Sequence, residues 1–293
     1  MKYLPIILIA CTTLFGFTAN AQQDPHFTLY RYNMNIINPA YAGANETTDA
    51  IFGVRSQWSG VQGGPETQTF NLSSPLGNNL GAGISVVNDK VFVLGETHLY
   101  ADFSYKLKLS ETLKLYAGLK AGGTFLDVNL SETGITNDPL FTSDVSKFSP
   151  NVGLGFYLKA EKYYVTLSAP GILSNDRYEK DGTTPVAASD DLVIFAGGGY
   201  DFELSDSFKL RPSVLSRITS GAPVSIDLTG SFLYEERFEL GGNYRIDESL
   251  AIFATVGLLD NKINFGYAYE FSTSEFLSTN NDGTHELILK FQL

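Results

Sequence analysis

The feature that most constrains this chain is a two-residue alternation of apolar and polar side chains that recurs along nearly its whole length. Successive side chains of a strand point to opposite faces, so strict alternation marks a sheet with a different environment on each side. From Gly95 to Leu107, Leu99, Ala101, Phe103, Tyr105 and Leu107 fall on one face, opposite Glu96, His98, Tyr100, Asp102, Ser104 and Lys106. Lys262 to Phe271 repeats the rule, with Ile263, Phe265, Tyr267, Tyr269 and Phe271 against Lys262, Asn264 and Glu270. In the final residues Leu287, Leu289, Phe291 and Leu293 oppose Glu286, Lys290 and Gln292. These runs are longer than the five or six residues typical of a soluble sandwich strand, and about right for a tilted strand crossing hydrocarbon. Their apolar faces are almost free of ionisable groups, and Tyr and Phe recur near their ends, where an interfacial girdle sits.

The expectation is therefore an all-β chain: a transmembrane antiparallel β-barrel of about fourteen strands. The runs fall at 49–58, 66–74, 80–89, 95–109, 112–126, 148–159, 162–169, 191–204, 207–217, 223–234, 237–246, 249–259, 262–271 and 284–293. Connections after even-numbered runs are tight, as at Gly77-Asn78-Asn79, Ser110-Glu111, Ala160-Glu161, Ser205-Asp206, Glu235-Glu236 and Asp260-Asn261. Those at 127–147, 170–190 and 272–283 are long. Bacterial barrels keep short turns in the periplasm and long loops outside, so this pattern predicts both termini on the periplasmic side.

Composition agrees. Charged residues are 18% of the chain, below the usual quarter, while Gly 28, Tyr 16 and Phe 21 are high. A net charge of −12 with no basic stripe excludes a nucleic-acid partner.

The first residues read as an export signal. Lys2 precedes an apolar run from Leu4 to Phe17, and Ala19-Asn20-Ala21 is a small-x-small cleavage site. Leu8-Ile9-Ala10-Cys11 resembles a lipoprotein processing box, but the apolar run continues past it to Phe17. Cleavage after Ala21 removes twenty-one of 293 residues, leaves 272, and takes away the single cysteine. The expected organisation is a signal peptide at 1–21, a periplasmic segment or partial plug at 22–48, and the barrel at 49–293, in the outer membrane after Sec export.

Candidate chemistry is sparse. The three histidines, His26, His98 and His285, are not spaced as metal ligands on one element. His98 between Glu96 and Asp102 could serve a lipid hydrolase, but a polar lumenal role is the simpler reading. Gly81-x-Gly83 and Gly153-x-Gly155 do not open helices in βαβ units, so no nucleotide cradle is expected. No catalytic residue, cofactor or metal is assigned, and the chain is read as non-enzymatic. Lumen-facing charges of both signs are expected from Lys114, Lys120, Lys209, Arg211, Arg237, Arg245, Lys262 and Lys290. They face Glu96, Asp102, Asp227, Glu239, Glu270 and Glu286, suggesting a filled interior more than a charge-selective pore. Acidic residues gather in the long connections, at Asp127, Glu132, Asp138 and Asp144 and at Asp176, Glu179, Asp181, Asp190 and Asp191, where loose divalent-cation binding is the alternative to simple solubility.

The segment Gln23 to Gly43 stands apart, because Tyr30, Tyr32, Asn33, Asn35 and Asn38 do not follow strand alternation. It fits either a plug or a periplasmic docking surface. Arg55 and Trp58 fall on opposite faces of a regular first strand, with Trp58 as an interfacial anchor.

Gln23-Asp24-Pro25-His26-Phe27, followed by Asn38-Pro39-Ala40-Tyr41-Ala42-Gly43, resembles the opening of the PorP/SprF family of outer-membrane proteins of the Bacteroidetes type IX secretion system. Arg55-Ser56-Gln57-Trp58, Gly81-x-Gly83 with Asn88-Asp89, Gly118 to Gly122, Pro150 to Gly155, Tyr163 to Pro170 and Gly283 to Leu287 continue the resemblance in order. The terminal Leu293 departs from the usual aromatic end, with Phe291 two residues before it. The resemblance implies a component of protein export and, in gliding relatives, of adhesin attachment. It implies as partners outer-membrane lipid, secretion-machinery subunits, and an adhesin or other cargo with a C-terminal sorting domain. Asp24, Pro25, Phe27, Asn38, Pro39, Ala40, Tyr41, Gly43, Arg55 and Trp58 are the candidate motif and docking residues. The alternative function is a passive outer-membrane porin or solute transporter, which needs an open lumen.

Overall fold

The computed structural model describes residues 25–133, 144–174, 191–273 and 281–293. Its strand segments are β1 (Asp49–Ser56), β2 (Glu66–Gly77), β3 (Leu80–Val91), β4 (Leu94–Lys108), β5 (Lys114–Val128), β6 (Val145–Lys159), β7 (Tyr163–Ala169) and β8 (Val193–Tyr200). They continue as β9 (Phe202–Glu203), β10 (Phe208–Leu210), β11 (Ser213–Thr219), β12 (Ser225–Tyr234), β13 (Phe238–Arg245), β14 (Ser249–Leu258), β15 (Ile263–Ser272) and β16 (Thr284–Gln292).

All belong to one antiparallel sheet that closes on itself where β1 pairs with β16, from Asp49↔Gln292 to Ser56↔His285. β8 and β9 are one stave interrupted at Asp201, and β10 and β11 one stave interrupted at Arg211-Pro212. The sixteen segments therefore make fourteen staves. Proline has no N–H to give the ladder, so Pro212 breaks its stave; the ladder passes it through its carbonyl, which accepts from the Tyr200 amide at 3.0 Å.

The alternation sorts the side chains as the periodicity requires. Leu99, Phe103, Tyr105 and Leu107 face outward and exposed, while Asp102 and Ser104 are buried inside. The outward face is a band of Phe, Leu, Ile and Val, the surface a lipid-embedded barrel presents. No described helix is long and apolar enough to cross a membrane.

The even-numbered connections gather at one rim, here called the turn end. Asn78 and Asn79, Glu235 and Glu236, and Asp260 and Asn261 all have positive φ, the conformation that two-residue type I′ hairpins demand. The opposite rim, the loop end, carries the odd connections.

Three expectations need correction. The first strand ends at Ser56, so Trp58 is not on a strand face; it sits in the following turn with φ 54°, its amide donating to Thr284 Oγ1 at 3.3 Å. Arg237 and Lys262 do not line the lumen: both are exposed at the turn end, where Arg237 pairs with Asp260 at 2.5 Å. Lys209 is likewise at that rim, paired with Glu236.

The two ends of the described chain also lie apart. The Leu293 amide donates to Thr48 O at the turn end, at 2.8 Å. At the start, His26 lies beside Glu248, in the loop-end turn between β13 and β14. The first described residues therefore lie at the rim opposite Leu293, because the chain runs down the full lumen before β1 carries it back.

Candidate functional site

Residues 25–48 occupy the inside of the barrel, and their seat on the wall is the candidate site. At the loop end, the Thr28 and Leu29 amides donate to the two carboxylate oxygens of Glu286, at 2.8 and 3.1 Å. Thr28 Oγ1 donates to Glu270 at 3.0 Å. Arg55 neutralises both carboxylates, at 3.4 Å from Glu286 and 3.2 Å from Glu270, and is itself 3% exposed. Arg245 adds a second guanidinium, to Glu270 and Asp227, each at 3.1 Å. Alternation aims all of these side chains inward, which is why charges of both signs can be buried here as pairs.

Deeper in, a short helix α1 (Met34–Ile37) ends at Asn38. The residue before a proline is pushed out of the helical region, and Asn38 is extended, with φ −140° and ψ 111°. That conformation frees its side chain to cap the 3₁₀ turn Pro39–Tyr41, with Asn38 Oδ1 accepting from the Ala40 amide at 2.9 Å. Pro39 fits at the first position of the turn, where an N–H would have no partner. The Asn38 amide group also donates to Thr166 Oγ1 at 2.8 Å and to Phe156 O at 3.0 Å. Fully buried, it joins the segment to β6 and β7.

The wall is cut away where this turn rests. A Cβ on Gly118 would lie 2.2 Å from the Ala40 nitrogen, and one on Gly155 would lie 2.0 Å from Asn38 Oδ1. On Gly81 it would be 2.2 Å from the Ala42 carbonyl oxygen. These glycines of β3, β5 and β6 are sites of close backbone approach. Gly43, at φ 70°, closes the turn and donates to Ser73 Oγ at 2.8 Å.

Other polar side chains of the segment are also anchored. Asn35 donates to Asp102 at 2.9 Å, and Asp102 pairs with Lys120 at 2.8 Å. Tyr32 Oη donates to Glu239, which also takes Arg211 at 2.9 Å. Arg31 reaches Asp201 at 3.3 Å. Phe27, Tyr30, Met34 and Ile37 pack with Val193, Phe195 and Leu215. Ala40 and Ala44 pack with Tyr116 and Tyr157, and the Tyr41 ring meets Tyr157 edge-on at 5.2 Å.

Near the turn end the segment does not fill the lumen completely. A cavity of about 400 Å³ remains between it and the inner wall, bordered by Tyr41, Tyr157, Tyr164, Arg31 and Lys159. Below it, Glu46 accepts from Lys114 at 2.7 Å and Lys106 at 3.0 Å, and these two ammonium groups hold its carboxyl at about 2.

Of the residues singled out in the sequence, Phe27, Asn38, Pro39, Ala40, Tyr41, Gly43 and Arg55 belong to this seat. Pro25 begins the described segment, Asp24 lies outside the described residues, and Trp58 stands away in its turn. Sequence reasoning missed Gly118 and Gly155 as site residues; their signal was glycine at lumen-facing positions, which alone does not say what approaches. The His98 constellation does not assemble. His98 meets Thr124 at 2.8 Å and Glu96 at 3.6 Å, while Asp102 is engaged by Lys120. Of the acidic loop residues, Asp138, Asp176, Glu179, Asp181 and Asp190 lie outside the described residues, and Asp144 accepts from the Ser131 amide and hydroxyl. Among the described residues no group of three acidic, His or Cys side chains is arranged to hold a metal ion.

A family model described as type IX secretion system membrane protein PorP/SprF matches residues 19–291. No curated protein matches the chain. Among solved structures, it is similar to the Ralstonia pickettii toluene transporter TbuX, at 11% identity and TM-score 0.50, covering 87% of this chain and 91% of that one. The Acinetobacter baumannii outer-membrane protein Omp33 is similar at 7% identity and TM-score 0.49, over 84% and 98%. At these identities the likeness to solved structures concerns the fold alone.

Proposed function

This chain belongs to the PorP/SprF family of type IX secretion system membrane proteins, and from that premise we propose that it is a non-enzymatic, self-plugged outer-membrane component supporting export or surface attachment of cargo. In this reading the turn end faces the periplasm and the loop end the cell surface. The cargo class is an adhesin or similar protein with a C-terminal sorting domain, and the machinery subunits dock on the rims of the barrel. The observation that carries the reading is the lumen seat. The chain's own segment occupies the path a solute would take, held from Thr28 to Gly43 by contacts around the wall. A passive porin requires that path to be open.

The test is capture of the protein from native membranes after crosslinking, together with deletion of its gene. Co-purification of a secretion subunit or of a sorting-domain cargo, and loss of that cargo from the surface on deletion, are the expected results. Recovery of the barrel alone, with cargo export intact in the deletion strain, would contradict the proposal.

A further inference from the structure

Among the described residues, the cavity at the turn end holds one cation without a carboxylate partner. Arg31 and Arg211 share Asp201, and Arg211 also pairs with Glu239. Lys290 pairs with Asp49 at 2.9 Å, and Lys162 with Glu203 at 3.0 Å. Lys159, half-buried in the cavity wall, donates to the Ala44 carbonyl at 2.9 Å and has no carboxylate within ion-pair distance among the described residues. Glu161, on the lip, forms no such pair with it. The neighbouring acid, Glu46, is already shared between Lys106 and Lys114. An ammonium kept partly from water with only a carbonyl acceptor is a ready partner for an incoming anion.

The surroundings narrow the kind of anion. The cavity lies inside the barrel wall, away from the lipid-facing surface. Its roughly 400 Å³ is within the range of ligand sites, larger than a single small ion requires. Tyr41, Tyr157 and Tyr164 line it, offering aromatic faces and hydroxyls suited to a short stretch of peptide.

We propose that this cavity is a docking site for a carboxylate-bearing peptide segment of a partner protein, entering from the turn end with its acid group on Lys159. The partner's being periplasmic rests on the orientation proposed above; the binding itself does not.

The experiment uses the full chain purified in neutral detergent and a fluorescein-labelled tetraglutamate peptide, read by anisotropy. Saturable, salt-sensitive binding is expected. The Lys159→Gln variant should weaken it roughly tenfold, the loss of one charge-assisted hydrogen bond, and Lys159→Arg should restore it. Heat-modifiable gel migration checks that each variant is folded. Absence of saturable binding, equal affinity in a folded Lys159→Gln variant, or displacement of the peptide by an equimolar amount of inorganic phosphate would each overturn the proposal. Peptide binding in vitro alongside failure to capture any secretion subunit in cells would instead count against the functional reading alone.

Discussion

Gly118 and Gly155 show how much rests on single positions in the lumen. Each is a glycine because another part of the chain occupies the space of its side chain. Valine at 118 must displace Ala40, and overpacking of this kind costs about 1–3 kcal/mol. Gly118→Val should therefore lower the thermal midpoint and expose the segment around Asn38 to added protease. Gly230→Val is the matched control, since a Cβ there meets nothing within 4 Å, and it should leave both unchanged. Glu46 supplies a pH dependence of definite sign. Its carboxyl is depressed from 4.5 to about 2 by hydrogen bonds from Lys114 and then Lys106. The stabilisation is therefore fully present above about 4.5 and is lost as the pH falls through about 2. The pair is half exposed, so solvent screening holds its worth to roughly 1 kcal/mol or less. Glu46→Gln should flatten the pH dependence of the thermal midpoint in that window, lying below the parent by up to that amount at neutral pH and converging with it as the pH falls towards about 2. At this scale the sequence displayed Asn38-Pro39 and the lumenal acids plainly. It did not display partnership, since Glu286 and Thr28 are 258 positions apart and nothing local pairs them.

The staves were legible as elements because lipid outside and polar groups inside impose opposite demands on alternate residues. That signal fades where an element is irregular. The breaks at Asp201 and Arg211-Pro212 fall inside runs that read as continuous, since Pro212 disrupts the ladder without disturbing the alternation around it. The first strand read two residues too long because Gln57-Trp58 continues the pattern into a turn. The hairpins offer a test of their own. Glu235 and Glu236 hold positive φ, where asparagine and glycine are far more at ease. Glu235→Asn with Glu236→Gly should raise stability by about 1 kcal/mol, read as a higher thermal midpoint, with the small loss of the Lys209 pair set against it.

The whole molecule is a closed wall around a segment of its own chain. Alternation and turn lengths made the wall legible; the course of the segment was not, because its irregular backbone carries no period. Its route can be traced by the contacts it makes, from Glu286 and Glu248 at the loop end to Ser73, Lys106 and Lys114 at the turn end. That route separates the first described residues from Leu293 by the height of the barrel. It also means that residues 25–44 shut the lumen that would otherwise be open to solutes. The most direct measurement is single-channel conductance in planar bilayers of the full chain beside a chain lacking residues 25–44, with heat-modifiable migration confirming that both have folded. A plugged lumen gives no steady open-pore current from the full chain and discrete, stable openings from the shortened one. Steady openings of the same size from both would contradict it.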